Sequence, residues 1–249
     1  MDKIGEYIRR IEIDSLWSGQ KHIVWELNRK VNILSGVNGV GKSTILNKVI
    51  LRLLQVRFDV VRSFDRPLVH SNLLEKLADD RVATELDWQL YLLQRRFLDY
   101  QVNVGNRMIA LLTSGDPEAR EKAKMAAQAR VQFQDMVDEL FSETGKKIVR
   151  SSNEIQLEQF GEILSPYKLS SGEKQMLVIL LTVLVEDRQP YVLFMDEPEI
   201  SLHVEWQQKL ITLIRQLNPN VQIILTTHSP AMIMNGWMDA VTEVTDITQ

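Results

Sequence analysis

The sequence predicts an α/β fold with a mostly parallel central sheet, because apolar strands alternate with amphipathic helices. Three short apolar runs, residues 31–35, 191–195 and 221–227, are typical of strands that are covered on both faces. Helical patterns follow the first two runs, and this alternation places helices on both faces of a parallel sheet. Ligands of such sheets bind at the carboxyl ends of the strands, so we look for functional residues there.

An antiparallel element precedes the first of these strands. Residues 7–13 alternate between polar and apolar side chains, which indicates a half-exposed strand. A turn signal at residues 18–20 separates this strand from a second one at residues 22–27, so we expect a β-hairpin.

A glycine-rich segment joins the first apolar strand to a helix. Residues 36–44 read G-V-N-G-V-G-K-S-T and match the phosphate-binding P-loop, G-x-x-x-x-G-K-[ST]. Glycines let the backbone turn its N–H groups toward phosphate oxygens, and the helix N-terminus adds a partial positive charge. The predicted nucleotide-binding residues of this loop are Gly36, Asn38, Gly39, Val40, Gly41, Lys42, Ser43 and Thr44.

Two acidic residues end the apolar run at residues 191–195. Asp196 fits a Walker B aspartate, which holds Mg²⁺ through water, and Ser43 of the P-loop would ligate the same ion. Glu197 is placed to act as a general base on the attacking water, and Lys42 would reach the β- and γ-phosphates. The segments therefore predict a site for nucleotide phosphates and Mg²⁺.

Shortly before the acidic strand, residues 169–175 read L-S-S-G-E-K-Q. Here the chain resembles the ABC-type ATPases, whose signature is L-S-G-G-Q. Ser170 and Gly172 match, whereas Ser171 and Glu173 depart from the pattern. A serine hydroxyl and free N–H groups at a helix start make a second anion site. The resemblance implies that Ser170, Ser171 and Gly172 bind the γ-phosphate of a nucleotide held by another subunit, so that two chains sandwich ATP.

Two further segments extend the resemblance. Residues 226–230, T-T-H-S-P, are similar to the family's switch-histidine motif, which implies that His228 senses the γ-phosphate as a third catalytic residue. Residues 197–203 cover the D-loop, where His203 replaces the aspartate of transporters. This form is similar to the non-transporter branch of OLD, RecF and SMC-related ATPases, which includes subunits of the Septu, PARIS and retron antiphage systems.

The domain organisation follows from the spacing of these motifs. We predict an ABC-type ATPase core from residues 1–57 and 161–249 and a mainly helical insertion at residues 58–160. Leucines and a phenylalanine at helical spacing predict a helix over residues 84–100, and Asp116-Pro117 is typical of the start of a second long helix. Further predictions are an N-cap at Ser71, helical structure at 106–113, a strand at 57–62 and a hairpin of 147–150 with 154–158.

Composition limits the possible partners. The chain has 249 residues, a net charge of −4 and no cysteine, which excludes disulfides and cysteine-based metal sites. No apolar run approaches the length of about 20 residues that spans a bilayer, so we expect a cytoplasmic protein without direct membrane insertion. Nucleic-acid binding is one hypothesis for the insertion. The alternative is that its basic side chains lie on ordinary solvated helix faces. The nucleic-acid hypothesis rests on basic residues of the insertion: Arg95, Arg96, Arg107, Lys122, Lys124 and Arg130.

The resemblance implies an ATPase that forms a homodimer or higher oligomer around Mg-ATP and switches a separate effector protein, linked to nucleic acid or antiphage defence. Few residues follow His228, so we expect the effector to be another chain. One alternative is the nucleotide-binding subunit of a membrane transporter, against which stand His203, the long insertion and the lack of a distinctive Q-loop glutamine. The Q-loop candidates are Gln55, Gln89, Gln94 and Gln101. A P-loop kinase is a third possibility, against which stand the signature, Glu197 and His228.

Overall fold

The computed structural model of the chain describes residues 5–16, 19, 21–51, 56–62 and 82–248. The chain divides into two compact units, one from residues 1–63 and 188–249 and the other from residues 64–187. The predicted N-cap at Ser71 and the Q-loop candidate Gln55 lie outside the described residues.

The described residues form ten strands and six α-helices. In chain order they are β1 (Arg10–Leu16), β2 (Lys21–Glu26), β3 (Val31–Ser35), α1 (Lys42–Ile50), β4 (Phe58–Arg62), α2 (Glu85–Thr113), α3 (Ala119–Leu140), β5 (Lys146–Ile148), β6 (Leu157–Gln159), β7 (Glu162–Leu164), α4 (Ser171–Val185), β8 (Tyr191–Asp196), α5 (Val204–Leu217), β9 (Val221–Thr227), α6 (Pro230–Met234) and β10 (Val241–Glu243).

The central sheet of the first unit has the strand order β10-β3-β9-β8-β4, and all its pairs are parallel. This confirms the predicted fold class. Thr226 of β9 lies opposite both Leu34 of β3 and Asp196 of β8. The carboxyl ends of these three strands are therefore level, and the segments that follow them start from the same edge of the sheet. β10 was not predicted, because three residues reading V-T-E carry no periodic signal.

The predicted hairpin is also confirmed, because β1 and β2 pair antiparallel. Their buried side chains, including Ile13 and Trp25, share one hydrophobic core with Ile45 of α1 and Phe194 of β8. The helix that follows the P-loop is thus held between the hairpin and one face of the central sheet. Burial of apolar area of this kind is the main stabilising contribution to the fold.

The edge strand β4 pairs in parallel with β8 along its whole length, with Val60 opposite Phe194. Residues 58–62 therefore complete the central sheet, although the predicted insertion begins at residue 58. The domain bounds drawn from the sequence stay a prediction.

In the second unit, α2 packs against α3 and α4. The predicted apolar stripe of α2 is buried along its length, at Leu86, Leu90, Leu93 and Phe97. Thr84 caps the helix with a capping box, in which its hydroxyl accepts from the N–H of Asp87 and the Asp87 carboxylate accepts from the N–H of Thr84. The helix continues to Thr113, which includes the helical segment predicted at residues 106–113.

The second long helix begins at Ala119, two residues after Pro117, the predicted first helical residue. Asp116 does not cap it directly. Its carboxylate instead accepts from the N–H of Glu118 at 2.8 Å and from Lys122 Nζ at 2.6 Å. The Asp116 side chain, which we predicted to cap the helix, therefore stabilises the turn before it. Met125 keeps the helical spacing of this helix's apolar face but is 65% exposed.

A small antiparallel sheet of β5, β6 and β7 follows α3, and its first two strands form the predicted hairpin. Helix α4 is buried on nearly all sides, which accounts for the long apolar run at residues 176–185. None of the helices in the described part of the chain combines the length and the apolar character needed to cross a membrane.

Gly105 lies inside α2, and a Cβ added there would meet no atom within 4 Å. We expect Gly105→Ala to raise the free energy of unfolding by about 1 kcal/mol, because alanine costs less conformational entropy in a helix. Urea unfolding measures the change. The matched control is Gly115→Ala, where φ is +72°. A Cβ in this left-handed conformation costs about 1 kcal/mol, so the control should lower the stability.

Candidate functional site

The P-loop connects the end of β3 to the start of α1. Gly41 stands at the helix N-cap with φ of 100°, a conformation that only glycine adopts readily. A Cβ on Gly36 would lie 2.9 Å from Val40 Cγ1. Glycine is therefore required at both ends of the loop, which supports the prediction that the loop wraps closely around a ligand. Asn38, Gly39 and Thr44 are exposed.

Lys42 is the first residue of α1, and its side chain is only 3% exposed. Its ammonium group folds back over the loop and donates to the carbonyl oxygens of Gly36 at 3.0 Å and Val37 at 3.4 Å. Nζ also lies 3.3 Å from Oε1 of Glu197. The charge of Lys42 is thus held at the centre of the loop by two carbonyls and one carboxylate.

The two predicted metal ligands are in direct contact. The Ser43 hydroxyl donates to Oδ1 of Asp196 at 3.0 Å, and the Thr226 hydroxyl donates to the same oxygen at 2.5 Å. A carboxylate beside hydroxyl groups is a set of hard oxygen donors, which is the ligand type that Mg²⁺ prefers. The residues present therefore fit the ion that the motifs predict.

Glu197 follows β8 directly and has an unusual backbone. Its φ is 47°, in the left-handed region that costs a residue with a Cβ about 1 kcal/mol. The Glu197 N–H donates to both the carbonyl oxygen and the hydroxyl of Thr226, at 3.1 Å each, which fixes this conformation. The turn places Oε1 of Glu197 between Lys42 Nζ and His228 Nδ1, at 3.3 and 3.6 Å. The three predicted catalytic residues therefore converge.

Thr226 lies among the candidate site residues, although the sequence did not predict a role for it. Its hydroxyl contacts Asp196, and it accepts from the N–H of Glu197, so it joins the ends of β8 and β9. The only sequence signal is its place in the T-T-H-S-P segment, where nothing distinguishes it from Thr227.

The predicted signature residues belong to the second unit, which spans residues 64–187. Ser170 is the N-cap of α4, and its hydroxyl accepts from the N–H of Glu173 at 3.3 Å. Ser171 and Gly172 are the first two helical residues, and Ser170 and Ser171 are exposed. The start of α4 thus presents a hydroxyl and helix N–H groups at the surface of its own unit, as an anion site requires.

Glu173 stands where the ABC signature has glutamine, and it is the centre of a buried hydrogen-bond network. Oε2 accepts from the N–H and the hydroxyl of Ser170, at 3.0 Å each, and Oε1 accepts from Lys146 Nζ at 2.8 Å. Burial alone would raise the pKa of this carboxyl. The hydrogen bonds from Lys146 and Ser170 outweigh that effect and lower the pKa below its ordinary value. The carboxylate is therefore kept ionised, with its charge compensated by Lys146.

We expect Glu173→Gln to lower the free energy of unfolding by about 3 kcal/mol, because it leaves the largely buried ammonium of Lys146 without a carboxylate. Since the pKa of Glu173 is lower in the folded state, its contribution is fully present above the ordinary value of 4.5 and is lost as the pH falls through the lower folded value. Urea unfolding of both proteins from pH 7 to pH 3 should show the difference disappear in acid. Glu143→Gln, an exposed acid nearby, is the control. An equal loss from this control would contradict the assigned role.

Two of the Q-loop candidates are committed to a loop of the second unit. Gln94 accepts from the N–H of Ile155 at 2.8 Å and donates to its carbonyl at 3.3 Å. Gln101 donates to the carbonyl of Asn153 at 2.7 Å. Both amides therefore clamp residues 153–155 to α2, and their contacts account for these glutamines without a nucleotide.

Several basic residues proposed to contact nucleic acid are engaged within the second unit. Arg96 pairs with Glu186, Arg107 with Asp187 at 2.8 Å and Lys122 with Asp116 at 2.6 Å. The Arg95 guanidinium lies over the ring of Tyr91. Hydrogen bonding to Asp187 raises the pKa of Arg107, and hydrogen bonding to Asp116 raises that of Lys122. This pairing favours solvated helix faces over a nucleic-acid surface.

Comparison with known protein families gives one match that covers more than half of the chain. The family described as "AAA domain, putative AbiEii toxin, Type IV TA system" matches residues 57–234. This range contains the signature, the acidic strand and His228, and the P-loop precedes it.

Among individual proteins, the chain is 36% identical over 106 residues to the Septu protein PtuA of Bacillus thuringiensis. It is 34% identical over 84 residues to the Retron Vc95 probable ATPase of Vibrio cholerae. These matches cover 37% and 29% of this chain but only 24% and 16% of the relatives. The phosphate import ATP-binding protein PstB of Mycobacterium intracellulare is 26% identical over 91% of this chain and 72% of its own length.

Among solved structures, the fold is similar to an Smc head bound to the C-winged helix domain of ScpA. The TM-score is 0.54 with 14% sequence identity, and the similarity covers 92% of this chain and 91% of the other. At this identity the similarity is evidence for the fold alone.

Proposed function

Because the chain belongs to this AAA domain family of ABC-type, non-transporter ATPases, we propose that it binds Mg-ATP at the carboxyl edge of its central sheet and hydrolyses it in a site completed by a second chain. The observation that carries the proposal is the convergence of Lys42 and His228 on one carboxylate oxygen of Glu197, beside the contact of Ser43 with Asp196.

In the proposed complex, the P-loop N–H groups and Lys42 hold the β- and γ-phosphates. Ser43 and Asp196 would hold Mg²⁺, which, when bound, supplies positive charge to the phosphate oxygens. The ammonium of Lys42 now pairs with Glu197 at 3.3 Å. A phosphate that takes over this ammonium releases the carboxylate of Glu197, which can then accept a proton from the attacking water.

In this proposal, each chain contributes Ser170, Ser171 and Gly172 to the nucleotide site of its partner. Their hydroxyl and N–H groups lie at an exposed helix start in the second unit, and no described side chain other than Glu173 hydrogen-bonds to Ser170. We propose that they bind the γ-phosphate held by the partner chain, as the family resemblance implies. Hydrolysis would remove that phosphate and loosen the dimer, which makes ATP a ligand that shifts a two-state equilibrium.

We also propose that this switch controls a separate effector protein in an antiphage system. Support comes from the similarity to the Septu protein PtuA and to the Retron Vc95 probable ATPase. The predicted insertion, residues 58–160, is the proposed docking region for the effector.

The transporter alternative is supported by the similarity to transport ATP-binding proteins such as PstB, which covers 91% of this chain. His203 stands against it, because it replaces the D-loop aspartate of transporters at the start of α5. The two functions differ in their partner. A permease that copurifies with the ATP-bound protein would favour the transporter, whereas a non-membrane effector would favour the proposed switch.

A test of the two-chain site is the dependence of ATP turnover on protein concentration. Because each site needs residues from two chains, we expect the rate per chain to rise with concentration and to level off when dimers predominate. Light scattering in the same samples should follow the same curve. A rate per chain that is constant across the dissociation range would refute the shared site, and an absence of turnover at every concentration would refute the ATPase.

A further inference from the structure

Glu199 lies two residues after Glu197 and is 4% exposed. Its Oε1 accepts from the Thr227 hydroxyl at 2.6 Å and from the N–H of His228 at 2.9 Å. The same oxygen is 3.3 Å from Nδ1 of the His228 ring. One buried oxygen therefore contacts the backbone and the side chain of the residue assigned to sense the γ-phosphate.

A buried carboxylate is costly unless hydrogen bonds or opposite charge compensate it. Among the described residues, the ion pairs of Glu199 involve His228 alone, and its Oε2 has no hydrogen-bond partner. The carboxylate thus makes its hydrogen bonds to Thr227 and His228, at the end of β9. A neutral side chain could fill the same space with a smaller desolvation penalty. The negative charge of Glu199 therefore needs a reason other than its hydrogen bond to the backbone.

We propose that Glu199 is a positioning residue for His228. It accepts the Nδ1–H of the imidazole, fixes the ring orientation and leaves the Nε2 edge for the ligand. This inference rests on the proposed role of His228 in ATP hydrolysis. A carboxylate behind one imidazole nitrogen selects which nitrogen carries the proton, and this decides whether the other can meet a phosphate or water correctly.

Glu197 is less suited than Glu199 to hold the His228 ring in position. Its Oε1 lies 3.6 Å from Nδ1, farther than Glu199, and it is shared with Lys42 Nζ at 3.3 Å. A carboxylate that must accept a proton from water should not be held by the histidine. Glu199 accepts the hydrogen bond from the imidazole N–H, so Glu197 remains available for the reacting water.

The experiment uses the chain of 249 residues labelled with ¹⁵N-histidine. The sequence has four histidines, so the imidazole spectrum is simple, and His228→Gln identifies the His228 signals. Without nucleotide, we expect a protonated Nδ1 in the wild type and a shift toward the Nε2-protonated form in Glu199→Met, which keeps the length of the side chain without its oxygen acceptors. Glu199→Asp, which keeps the charge, should restore at least part of the wild-type spectrum. Glu205→Gln, an exposed acid of α5, should leave the spectrum unchanged.

Kinetics provide the second measurement. We expect Glu199→Met to lower kcat by about 10- to 100-fold, as removal of an outer partner of a functional histidine does, with a change in KM of less than about threefold. Glu199→Asp should recover part of kcat.

An unchanged His228 spectrum in Glu199→Met would overturn the proposal, even if kcat fell. If the wild type does not hydrolyse ATP, the proposed function fails, and the nucleotide-free spectra still decide whether Glu199 holds the ring.

Discussion

Lys42→Ala should abolish ATP binding at micromolar nucleotide, with the affinity falling by about 100-fold or more. The loss of a buried charge partner costs about 2–5 kcal/mol, and each 1.4 kcal/mol is about a tenfold change in affinity. In the wild type, the loop carbonyls of Gly36 and Val37 already hold the ammonium at the site, so little ordering is needed when phosphate arrives. Alanine removes both the charge and this preorganisation. Equilibrium titration with a fluorescent ATP analogue measures the affinity.

The matched control is Lys48→Ala, which removes a lysine of the same helix. Lys48 Nζ donates to the carbonyl of Ser15 at 2.7 Å, away from the loop. We expect the control to bind ATP with wild-type affinity. Thermal unfolding without nucleotide should show both variants folded. A folded Lys42→Ala protein with wild-type affinity would disprove the assignment of the P-loop as the nucleotide site.

The parts of the site that could be predicted are those that short segments encode. The P-loop is contiguous, and its glycines are required by local backbone geometry, at φ of 100° for Gly41. Strand β9 was predicted with its observed bounds, because a short segment rich in β-branched and apolar residues ends at His228. Since parallel strands align their carboxyl ends, the predicted topology alone was enough to bring Asp196 close to Ser43.

Contacts between distant residues could not be predicted in the same way. Lys146 reaches Glu173 across 27 positions of the chain, and neither residue has a motif that names the other. Glu199 stood in a quoted segment, but its burial and its contact with His228 depend on how β8 and β9 meet. The start of α3 also depends on contacts that the sequence does not specify. The Asp116 carboxylate could cap the helix or bind within the preceding turn, and it accepts from Glu118 N–H and Lys122 instead of capping.

Glu197→Gln should bind ATP but hydrolyse it about 100- to 10,000-fold more slowly, because the amide cannot take a proton from water. Glutamine keeps the size of the side chain and, through its amide oxygen, an acceptor for Lys42. The γ-phosphate that joins the two chains then persists. We therefore expect a stable dimer in Mg-ATP and a monomer without nucleotide.

Sizing chromatography with light scattering, run with and without Mg-ATP, measures the trapped state. Glu205→Gln is the control, because this exposed acid follows the D-loop without contacting Lys42 or His228 in the described structure. The wild type and the control should dimerise only transiently, since each turnover releases the phosphate. Ser170→Arg combined with Glu197→Gln should bind ATP and remain monomeric, because the added side chain occupies the start of α4 where the partner's phosphate would lie. A Glu197→Gln protein that binds ATP yet stays monomeric would separate nucleotide binding from dimerisation and refute the two-chain site.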